Sequence, residues 1–510
     1  MMDSFFNDLL RLSWPPTGWG QLISNLRSND PLTVGASLFA TVFAMKYGYS
    51  IVYEKFFSPL RHIPGPFHLR VTGLTTLLGV IKGNSYEYLK KLHEQYGPVV
   101  VYNPGCVSFT SPSALQQILR KDDFPKGPNY EKLQGSHGED IFTLTDKSRH
   151  KVLRRMLSPA FSISSLNMLE TFFQSCMQEL VEHVRAECQS QGGEAAIDMY
   201  LLTQRLALDI IGETAFGTPF NLVSKGEHPL PDNIRYLMQG AMLESVFPFI
   251  RYIPVLNGSK QEAEIDSHMR KIITDRRNSA DAKRTDILQL LLDAQDPEAQ
   301  ALTDNQVRAQ VEIFLFAGSE TTSGTLFFIL LLLLRHKSVL ARLLEEIDRV
   351  LPDRSCDIPS HNAIKHLPYL NAVINEGLRV RPVTELGVIR HLTKPATVEG
   401  YHLPAGTNVI ANFPIAHKNK QIWGADAHEF KPERFLEDYP REAYMPFSSG
   451  TRNCIGKNFA LMELRMALVT LLHCFEFEDI QGQPEEIVNY ITVGLRSNRY
   501  RMRVRPRHSS

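Results

Sequence analysis

The sequence is poor in cysteine and carries no excess of either charge. Its 510 residues include only six cysteines, at Cys106, Cys176, Cys188, Cys356, Cys454 and Cys474. None belongs to a Cys-x-x-Cys pair, and the spacings match neither a zinc site nor a disulfide framework, so we expect free thiols in a reducing compartment. Basic and acidic residues number 55 each, so the overall charge points to neither nucleic acid nor an acidic partner.

Internal repeats and low-complexity tracts are also missing. Helical periodicity dominates instead, in stretches such as 85–96, 164–188, 199–214 and 340–350. Strand-like pieces are short and lie at 97–103 and 396–412, where Gly400 and residues 404–406 predict a hairpin. The sequence therefore predicts one large, mainly α domain with small β-sheets.

The N-terminal region departs from this pattern. Residues 32–53, "LTVGASLFATVFAMKYGYSIVY", contain a single charged residue, Lys46. A run of about 20 apolar residues is long enough to span a bilayer, and Lys46 could extend to the interface. We expect a transmembrane anchor here, within an N-terminal segment 1–54; a buried or interfacial helix is the alternative. The first residues lack the basic start of a cleaved signal peptide.

A proline-rich stretch follows the predicted anchor. Residues 55–66 contain Pro59, Pro64 and Pro66, which stiffen the chain and end a helix. We expect a hinge at 55–66 and the large domain at 67–510.

A long helix is predicted from 303 to 338. Thr303 and Gln306 fit a capping box. Its second half is apolar on all sides, which predicts burial, because the uncharged run 321–334 is too short to cross a membrane. The polar patch 318–324, "GSETTSG", interrupts it. Two interpretations stay open: a helix loosened at a functional site, or hydroxyls that only serve helix packing.

One cysteine lies in an unusual local setting. In "PFSSGTRNCIGKNFA", residues 446–460, helical periodicity begins just after Cys454. The backbone N–H groups of a helix N-terminus favour a thiolate over a thiol. Gly450 and Gly456 permit a tight turn and the close approach of a flat ligand to the backbone.

Two neighbours sharpen this interpretation. Arg452 can reach a carboxylate on such a ligand, and Phe447 can shield the sulfur from water. This combination suits axial ligation of haem iron. An isolated cysteine is more often an inert buried residue, but the full pattern F-x-x-G-x-R-x-C-x-G argues against coincidence.

The pattern resembles the haem-binding signature of the cytochrome P450 haem-thiolate monooxygenases. Three further stretches resemble family motifs in the family's order: "AGSETT" at 317–322, "EGLR" at 376–379 and "FKPERF" at 430–435. The likeness covers about residues 55–505. It implies the cytochrome P450 fold, with Cys454 as the proximal iron ligand of haem b. The residues within the motifs resemble those of fungal microsomal members of secondary metabolism.

The resemblance also implies roles for the central helix. Glu320 and Thr321 match the acid–alcohol pair of the distal side, which passes protons to the reaction while bulk water is excluded. Ala317 and Gly318 lack bulk, so the helix could pass close over the porphyrin.

The remaining motifs imply a structural ionic triad. Glu376, Arg379 and Arg434 match the family residues that hold the cysteine loop from behind. The Glu-x-x-Arg motif alone is weak, because ion pairs three residues apart are common on solvated helix faces.

One position departs from the family. The helix at 146–161 commonly carries a tryptophan and, four residues later, an arginine, both reaching a haem propionate. Here the two positions hold His150 and Arg154, which share one helix face. Imidazole can donate to a carboxylate, and Arg390 is the expected second propionate partner.

Family position also places a substrate pocket. The residues expected to line it, beside Ala317 and Thr321, are mostly apolar: Ile141, Phe142, Phe314, Val383, Val388 and Val493. A lipophilic substrate is therefore expected. The apolar loop 246–256 could enter the membrane surface; an ordinary packed loop is the alternative.

The expected function follows from the resemblance. It is insertion of one atom of dioxygen into a lipophilic small molecule, such as a secondary metabolite. No nicotinamide or flavin motif occurs in the chain, so electrons from NADPH are expected through a partner NADPH–cytochrome P450 reductase, with a small haem carrier as a further candidate donor. The basic residues Lys147, Arg149, Lys151 and Arg155 suit docking of an acidic donor.

Two other functions remain open. A haem-thiolate enzyme could catalyse radical coupling, desaturation or isomerisation instead of hydroxylation, and a non-catalytic membrane-bound haem or lipid binder is the third candidate. The anchor and the family together predict a single-pass protein of the endoplasmic reticulum membrane with its catalytic domain on the cytosolic face.

Overall fold

The computed structural model describes residues 31–134, 138–226, 228–246, 258–278, 286–294, 301–353 and 356–507. The chain forms two compact units, which meet in sequence between His62 and Ile63. This boundary falls within the predicted hinge.

The described part of the first unit is helical. Helix Pro31–Val52 is followed by the π-helical turn Tyr53–Phe57, so helical backbone extends into the predicted hinge. Several apolar side chains of the helix are more than half exposed, among them Val42, Phe43 and Met45. Residues 1–30 of the N-terminal segment lie outside the described residues. Helix Pro31–Val52 is long enough to cross a membrane but less apolar than a candidate span, and its insertion into a membrane stays a prediction.

The second unit is mainly helical, as expected. Its α-helices are Phe67–Val71, Leu74–Lys82, Ser85–Tyr96, Pro112–Gln116, Pro128–Glu131, Lys147–Leu157, Ile163–Met168, Glu170–Ser190, Met199–Ile211, Leu222–Lys225, Leu230–Val246, Ser259–Asn278, Ile287–Leu292, Asp304–Arg335, Lys337–Val350, His361–Ile364, Pro368–Val380, Phe413–Ala416, Lys420–Trp423 and Lys457–Cys474. Short 3-10 turns occur at Ser158–Phe161, Pro432–Phe435 and Gly450–Arg452, and π-helical turns at Gln117–Lys121 and Gly212–Phe216.

Eleven short strands are described: β1 Val99–Asn103, β2 Cys106–Phe109, β3 Ala195–Asp198, β4 Val388–His391, β5 Ala396–Val398, β6 Tyr401–Leu403, β7 Asn408–Ala411, β8 Phe475–Asp479, β9 Ile487–Asn489, β10 Val493–Leu495 and β11 Arg501–Pro506. They form four small sheets, ordered β1-β2-β7-β4, β3-β11-β8, β5-β6 and β9-β10. All pairs are antiparallel except β2 with β7. The predicted hairpin exists as β5-β6, but the end of the same stretch, β7, joins the four-stranded sheet.

The central helix, Asp304–Arg335, crosses the second unit. Thr303 caps it and forms the predicted capping box with Gln306. Among the described residues it is the one helix long and apolar enough to cross a membrane, yet 72% of its most apolar window is buried within the protein. It packs mainly along helix Met199–Ile211, and also along Lys457–Cys474.

The polar patch of the central helix does not loosen its backbone. The helix continues without a break through 318–324. Hydroxyls of Ser319 and Thr321 donate to carbonyls four residues earlier, at 2.7 and 2.6 Å. Of the two open interpretations, the unbroken backbone favours hydroxyls that serve the helix itself, because they add to the helical hydrogen bonds instead of replacing them.

Two cysteines are paired. Cys356 and Cys474 form a disulfide with Cα atoms 5.2 Å apart, while Cys106, Cys176, Cys188 and Cys454 are free. The expectation of six free thiols is wrong for this pair. The two residues are 118 positions apart, so no local spacing could indicate that packing brings them together.

Candidate active site

The cysteine loop, residues 446–456, is a tight turn closed by its own backbone. The Cys454 N–H donates to the Phe447 carbonyl at 2.9 Å, and helix Lys457–Cys474 begins just beyond. Gly450 has a φ of +77°, and a Cβ there would overlap the Leu119 carbonyl oxygen. Glycine is required at this position both for its backbone conformation and for the close approach of the neighbouring segment.

Part of the Cys454 side chain is accessible, although protein atoms surround it. The residue is exposed, yet burial by surrounding atoms raises the pKa of its thiol. The Gly456 backbone N–H and the charges of Arg154 and Lys457 lower this pKa, but their effect is smaller than that of burial. The helix N-terminus alone does not produce a thiolate here; a bound metal cation would, because it deprotonates a coordinating thiol.

Arg154 holds the residue before the cysteine. Its guanidinium donates to the Asn453 carbonyl at 2.7 Å and to Asn453 Oδ1 at 2.6 Å. The structure therefore shows Arg154 bound to the cysteine loop, a contact that the family motif did not predict. His150, one turn earlier, is buried. Burial, followed by the charges of Arg452, Lys126 and Arg154, lowers its pKa to about 3, so the imidazole is neutral.

The charges of Arg452 and Lys126 act on His150, and the charge of Arg390 acts in turn on both of them. Arg452 donates to the carbonyls of Leu144 and Thr145, and burial together with Arg390 lowers its pKa to about 10. Arg390 is only 1% exposed. Lys126 is buried, and its pKa lies well below the usual range because of burial and the charges of Arg390 and Arg452.

The acids near this basic cluster have partners of their own. Asp140 accepts bonds from Thr143 and the Phe142 N–H, and Asp146 caps helix Lys147–Leu157. Mutually repelling buried cations are stabilised by an added anion. The basic cluster of Lys126, His150, Arg154, Arg390 and Arg452, beside an open cysteine, therefore fits a flat group that carries carboxylates and a metal, as haem does.

Lys126 was missed by sequence reasoning. It lies in the segment "FPKGP", which matches none of the motifs considered above. Its amino group donates to the Phe142 carbonyl and lies over the rings of Tyr130 and Phe142, at 4.4 and 4.3 Å. Only the folded chain shows that this lysine is buried beside Arg390 and Arg452.

The predicted ionic triad is assembled. Arg379 Nε and Nη2 donate to the two Glu376 oxygens at 2.6 and 2.7 Å, and Arg434 Nε lies 3.3 Å from Glu376 Oε1. Glu376 and Arg379 are fully buried. Arg379 also donates to the carbonyls of His417 and Ala427, so the pair fixes the chain that leads to the cysteine loop.

The central helix presents an open face at the predicted distal position. Ala317 is exposed and Thr321, one turn later, is partly buried on the same face. Gly318 points elsewhere: a Cβ there would overlap Ile211. The missing side chain at Gly318 therefore has a packing reason, the close contact with helix Met199–Ile211.

Glu320 faces away from this open surface. Gln204 Nε2 donates to its Oε1 at 3.5 Å, and it lines a small cavity with Tyr200 and Arg235. Burial raises the pKa of Glu320 to about 7, although the positive charge of Arg235 acts to lower it. The acid and the alcohol of the predicted pair thus occupy neighbouring positions but different surroundings.

The expected pocket residues are mostly buried or partly buried. Ile141, Phe314, Val383 and Val493 are each less than 10% exposed, Val388 is partly buried, and Phe142 is 37% exposed. The structure brings Val383 and Val493 together, because the Val493 N–H donates to the Val383 carbonyl at 2.9 Å. The Phe314 ring packs edge-on against Phe161. The predicted membrane loop, apart from Val246, lies outside the described residues.

Two residues of the predicted donor-docking cluster form ion pairs with acids. Lys147 lies 2.8 Å from Asp123, and Arg149 forms an ion pair with Glu139. These contacts weaken the field that the helix can present to an acidic partner.

Comparisons with known proteins agree with this geometry. The family model described as cytochrome P450 matches residues 63–504. Cytochrome P450 monooxygenase LUC2 of Fusarium sp is 34% identical, covering 89% of this chain and 90% of that protein. Benzoate 4-monooxygenase bphA of Aspergillus niger is 28% identical, covering 84% and 89%.

A solved structure shares the fold. The crystal structure of the cytochrome P450DA heme domain superposes with a TM-score of 0.76 at 26% identity, covering 85% of this chain and 95% of that one. The family match over most of the chain, together with the assembled cysteine loop, basic cluster and triad, shows that this chain belongs to the cytochrome P450 family and is a cytochrome P450 monooxygenase.

Proposed function

We propose that this monooxygenase inserts one atom of dioxygen into a lipophilic small molecule of fungal secondary metabolism, with NADPH-derived electrons delivered by a partner reductase. The observation that carries the proposal is the placement of Cys454, with its open surface, beside the basic cluster, in which Lys126, His150 and Arg390 are buried. Such a cluster is costly unless an anion joins it.

Haem b fits these residues. Cys454 would ligate its iron, while Lys126, His150, Arg390 and Arg452 offer donors for its carboxylates. A bound haem supplies the iron that activates dioxygen, with the thiolate donating electron density to it. The chain holds this arrangement through the Arg154–Asn453 bonds and the triad.

The other residues control water and protons. Thr321 presents its hydroxyl beside the open face of the central helix, and Glu320 holds a proton near neutral pH because burial raises its pKa to about 7. Apolar residues such as Val383 and Val493 exclude water from the substrate space, so that protons reach it only through positioned groups.

The names of related proteins support the monooxygenase reaction. Several relatives are fungal cytochrome P450 monooxygenases, including LUC2 and the acrD protein of Aspergillus aculeatus, which is 32% identical. The bphA protein is named as a benzoate 4-monooxygenase. We extend hydroxylation to this chain as the first candidate reaction; radical coupling, desaturation and isomerisation are the second.

Membrane attachment is part of the proposal. The exposed apolar side chains of helix Pro31–Val52 support an endoplasmic reticulum anchor, with the catalytic unit on the cytosolic face. Deletion of residues 1–53 should release a haem-loaded protein from the membrane fraction. Persistent membrane association would instead implicate the loop 246–256.

A spectrum tests the central claim. The ferrous–carbonyl complex of the purified protein should show the thiolate-shifted Soret band, and Cys454→Ser should abolish it while the matched variant Cys106→Ser retains it. An unshifted band in the unmodified protein would refute the assignment. Growth of an expressing fungus under ¹⁸O₂, with mass analysis of new metabolites, then distinguishes oxygen insertion from coupling or desaturation.

A further inference from the structure

Two of the expected pocket residues, Val383 and Val493, form a junction between segment 381–388 and the hairpin of strands β9 and β10. The Val493 N–H donates to the Val383 carbonyl at 2.9 Å. A Cβ on Gly324 would lie 3.4 Å from Val383 Cγ1 and 3.7 Å from the Val493 carbonyl oxygen. The junction therefore contacts the central helix about one turn beyond Thr321.

A buried carboxylate joins the same two segments a second time. Glu385, two residues after Val383, is only 5% exposed. The Asn489 side chain is also buried, and its Nδ2 donates to Glu385 Oε2 at 3.3 Å. Asn489 is the direct partner of Val493 across the hairpin. One backbone bond and one side-chain bond therefore connect the segment to the hairpin.

Lys418 supplies the counter-charge for this carboxylate. Its Nζ lies 3.5 Å from Glu385 Oε1, and the two side chains are 12% and 6% exposed. The same amino group lies 4.8 Å from the centre of the Tyr86 ring. A buried carboxylate without a counter-charge is costly, whereas an ionised one is a stronger acceptor than a neutral group. Lys418 therefore supports the bond between Glu385 and Asn489.

Both sides of the junction are also attached to other parts of the fold. On the hairpin, the Asn489 N–H donates to the Gly83 carbonyl and Arg496 Nη2 donates to the Lys82 carbonyl, each at 2.7 Å. On the segment, Gly387 has a φ of +70°, and a Cβ there would overlap the backbone of β7. Because each side has its own support, the contact between them sets their separation.

We propose that Glu385, together with Lys418 and Asn489, fixes the separation of Val383 and Val493 and thereby determines which lipophilic ligands fit the substrate space. These three are positioning residues, since both Glu385 oxygens are bonded to protein partners. The inference rests on the proposed function and deepens it. Apolar selection depends on close packing, and a small gap between a ligand and the wall already forfeits much of the contact energy.

Ligand titrations of the haem-loaded protein test this proposal. Imidazole and 1-octylimidazole both ligate haem iron through a ring nitrogen, and the shift of the Soret band gives each Kd. Only 1-octylimidazole extends an apolar tail into the substrate space, so the ratio of the two Kd values reports on the wall. Glu385→Gln should reduce the preference for 1-octylimidazole by about three- to thirtyfold and leave the Kd of imidazole unchanged.

A second variant keeps the buried ion pair intact. Asn489→Ala removes the bond from the hairpin, while Glu385 and Lys418 remain paired, so it remains informative if Glu385→Gln fails to fold. It should reduce the same preference. The double variant should lose no more than the larger single loss, because both changes break one contact. Fully additive losses would show that the two residues act independently and would overturn the inference.

A buried ion pair elsewhere provides the matched control. Arg276 lies 2.5 Å from Asp286, with side chains 9% and 0% exposed. Asp286→Asn should lower the thermal unfolding midpoint without changing the Kd ratio. An unchanged ratio in Glu385→Gln and Asn489→Ala, or an equal change in Asp286→Asn, would overturn the inference alone. A missing thiolate-shifted Soret band would instead overturn the proposed function on which it rests.

Discussion

Arg154 donates two hydrogen bonds to Asn453, the residue that immediately precedes Cys454. The two residues are 299 positions apart in the chain. This contact connects helix Lys147–Leu157 to the cysteine loop. It also places a positive charge near the Cys454 thiol, which lowers the thiol pKa, while burial raises it by more. Arg154 therefore links the shape of the loop to the charge state of its cysteine.

Replacing Arg154 should loosen the cysteine loop. Arg154→Met removes both bonds, and a hydrogen bond to a charged group contributes about 1.5–3 kcal/mol. We expect lower haem retention, measured as haem per protein after gel filtration, and a ferrous–carbonyl spectrum that partly converts to the unshifted form. Arg154→Lys should recover part of both. Full haem content with an unaltered spectrum in Arg154→Met would show that the loop does not depend on this contact.

Breaking the triad should destabilise the whole catalytic unit. Glu376→Gln leaves Arg379 buried without its counter-charge, and removing one partner of a buried ion pair costs about 3–5 kcal/mol. Thermal unfolding followed by circular dichroism should show a markedly lower midpoint. The exposed pair Arg503–Glu478 provides the control, since Arg503→Met should cost less than about 1 kcal/mol. Equal effects of the two variants would contradict a structural role for the triad.

Acid should unfold the protein partly through a buried histidine. His417 is fully buried and its Nε2 accepts a hydrogen bond from the Met445 N–H, and burial with the Arg379 and Lys418 charges lowers its pKa to about 3. Between pH 6.5 and about 3 the unfolded chain binds a proton that the folded chain does not. The free energy of unfolding should therefore fall with decreasing pH, by about 1.4 kcal/mol per unit from this residue.

Denaturant titrations between pH 7.5 and 4.5 measure this slope. His417→Gln keeps an acceptor for the Met445 N–H, and its slope should be shallower even if its stability at pH 7.5 is lower. Parallel slopes for the two proteins would exclude His417 as a contributor.

The disulfide predicts a thiol count and a stability change. Unreduced, haem-stripped protein in denaturant should expose four reactive thiols, and six after reduction. A crosslink that closes a loop of about 118 residues contributes about 4–5 kcal/mol in the chain-entropy model. Cys356→Ser should therefore lower the unfolding midpoint to that of the reduced protein and should not respond to reductant, whereas Cys188→Ser keeps the disulfide and should lose stability on reduction as the unmodified protein does. Six thiols before reduction would contradict the pairing.

The sequence by itself determined the features that depend on short stretches of chain. The glycines and arginine around Cys454, the Thr303 capping box and the length of the central helix all follow from local chemistry and periodicity. The motifs "EGLR" and "FKPERF" also predict the three partners of the triad. The sequence left two interpretations open for the hydroxyls of 318–324, because their bonds within the helix are compatible with an unbroken backbone.

The tertiary structure alone decided which distant residues meet. Lys126 joins the basic cluster, Arg235 and Gln204 surround the far side of Glu320, Gly318 serves the contact with Ile211, and Cys356 pairs with Cys474. None of these follows from spacing, because partners far apart in the chain are brought together by the packing of whole helices and not by local preference. The same packing turns an ordinary lysine and arginine into buried charges, which is why the chemistry of the site emerges only in the folded chain.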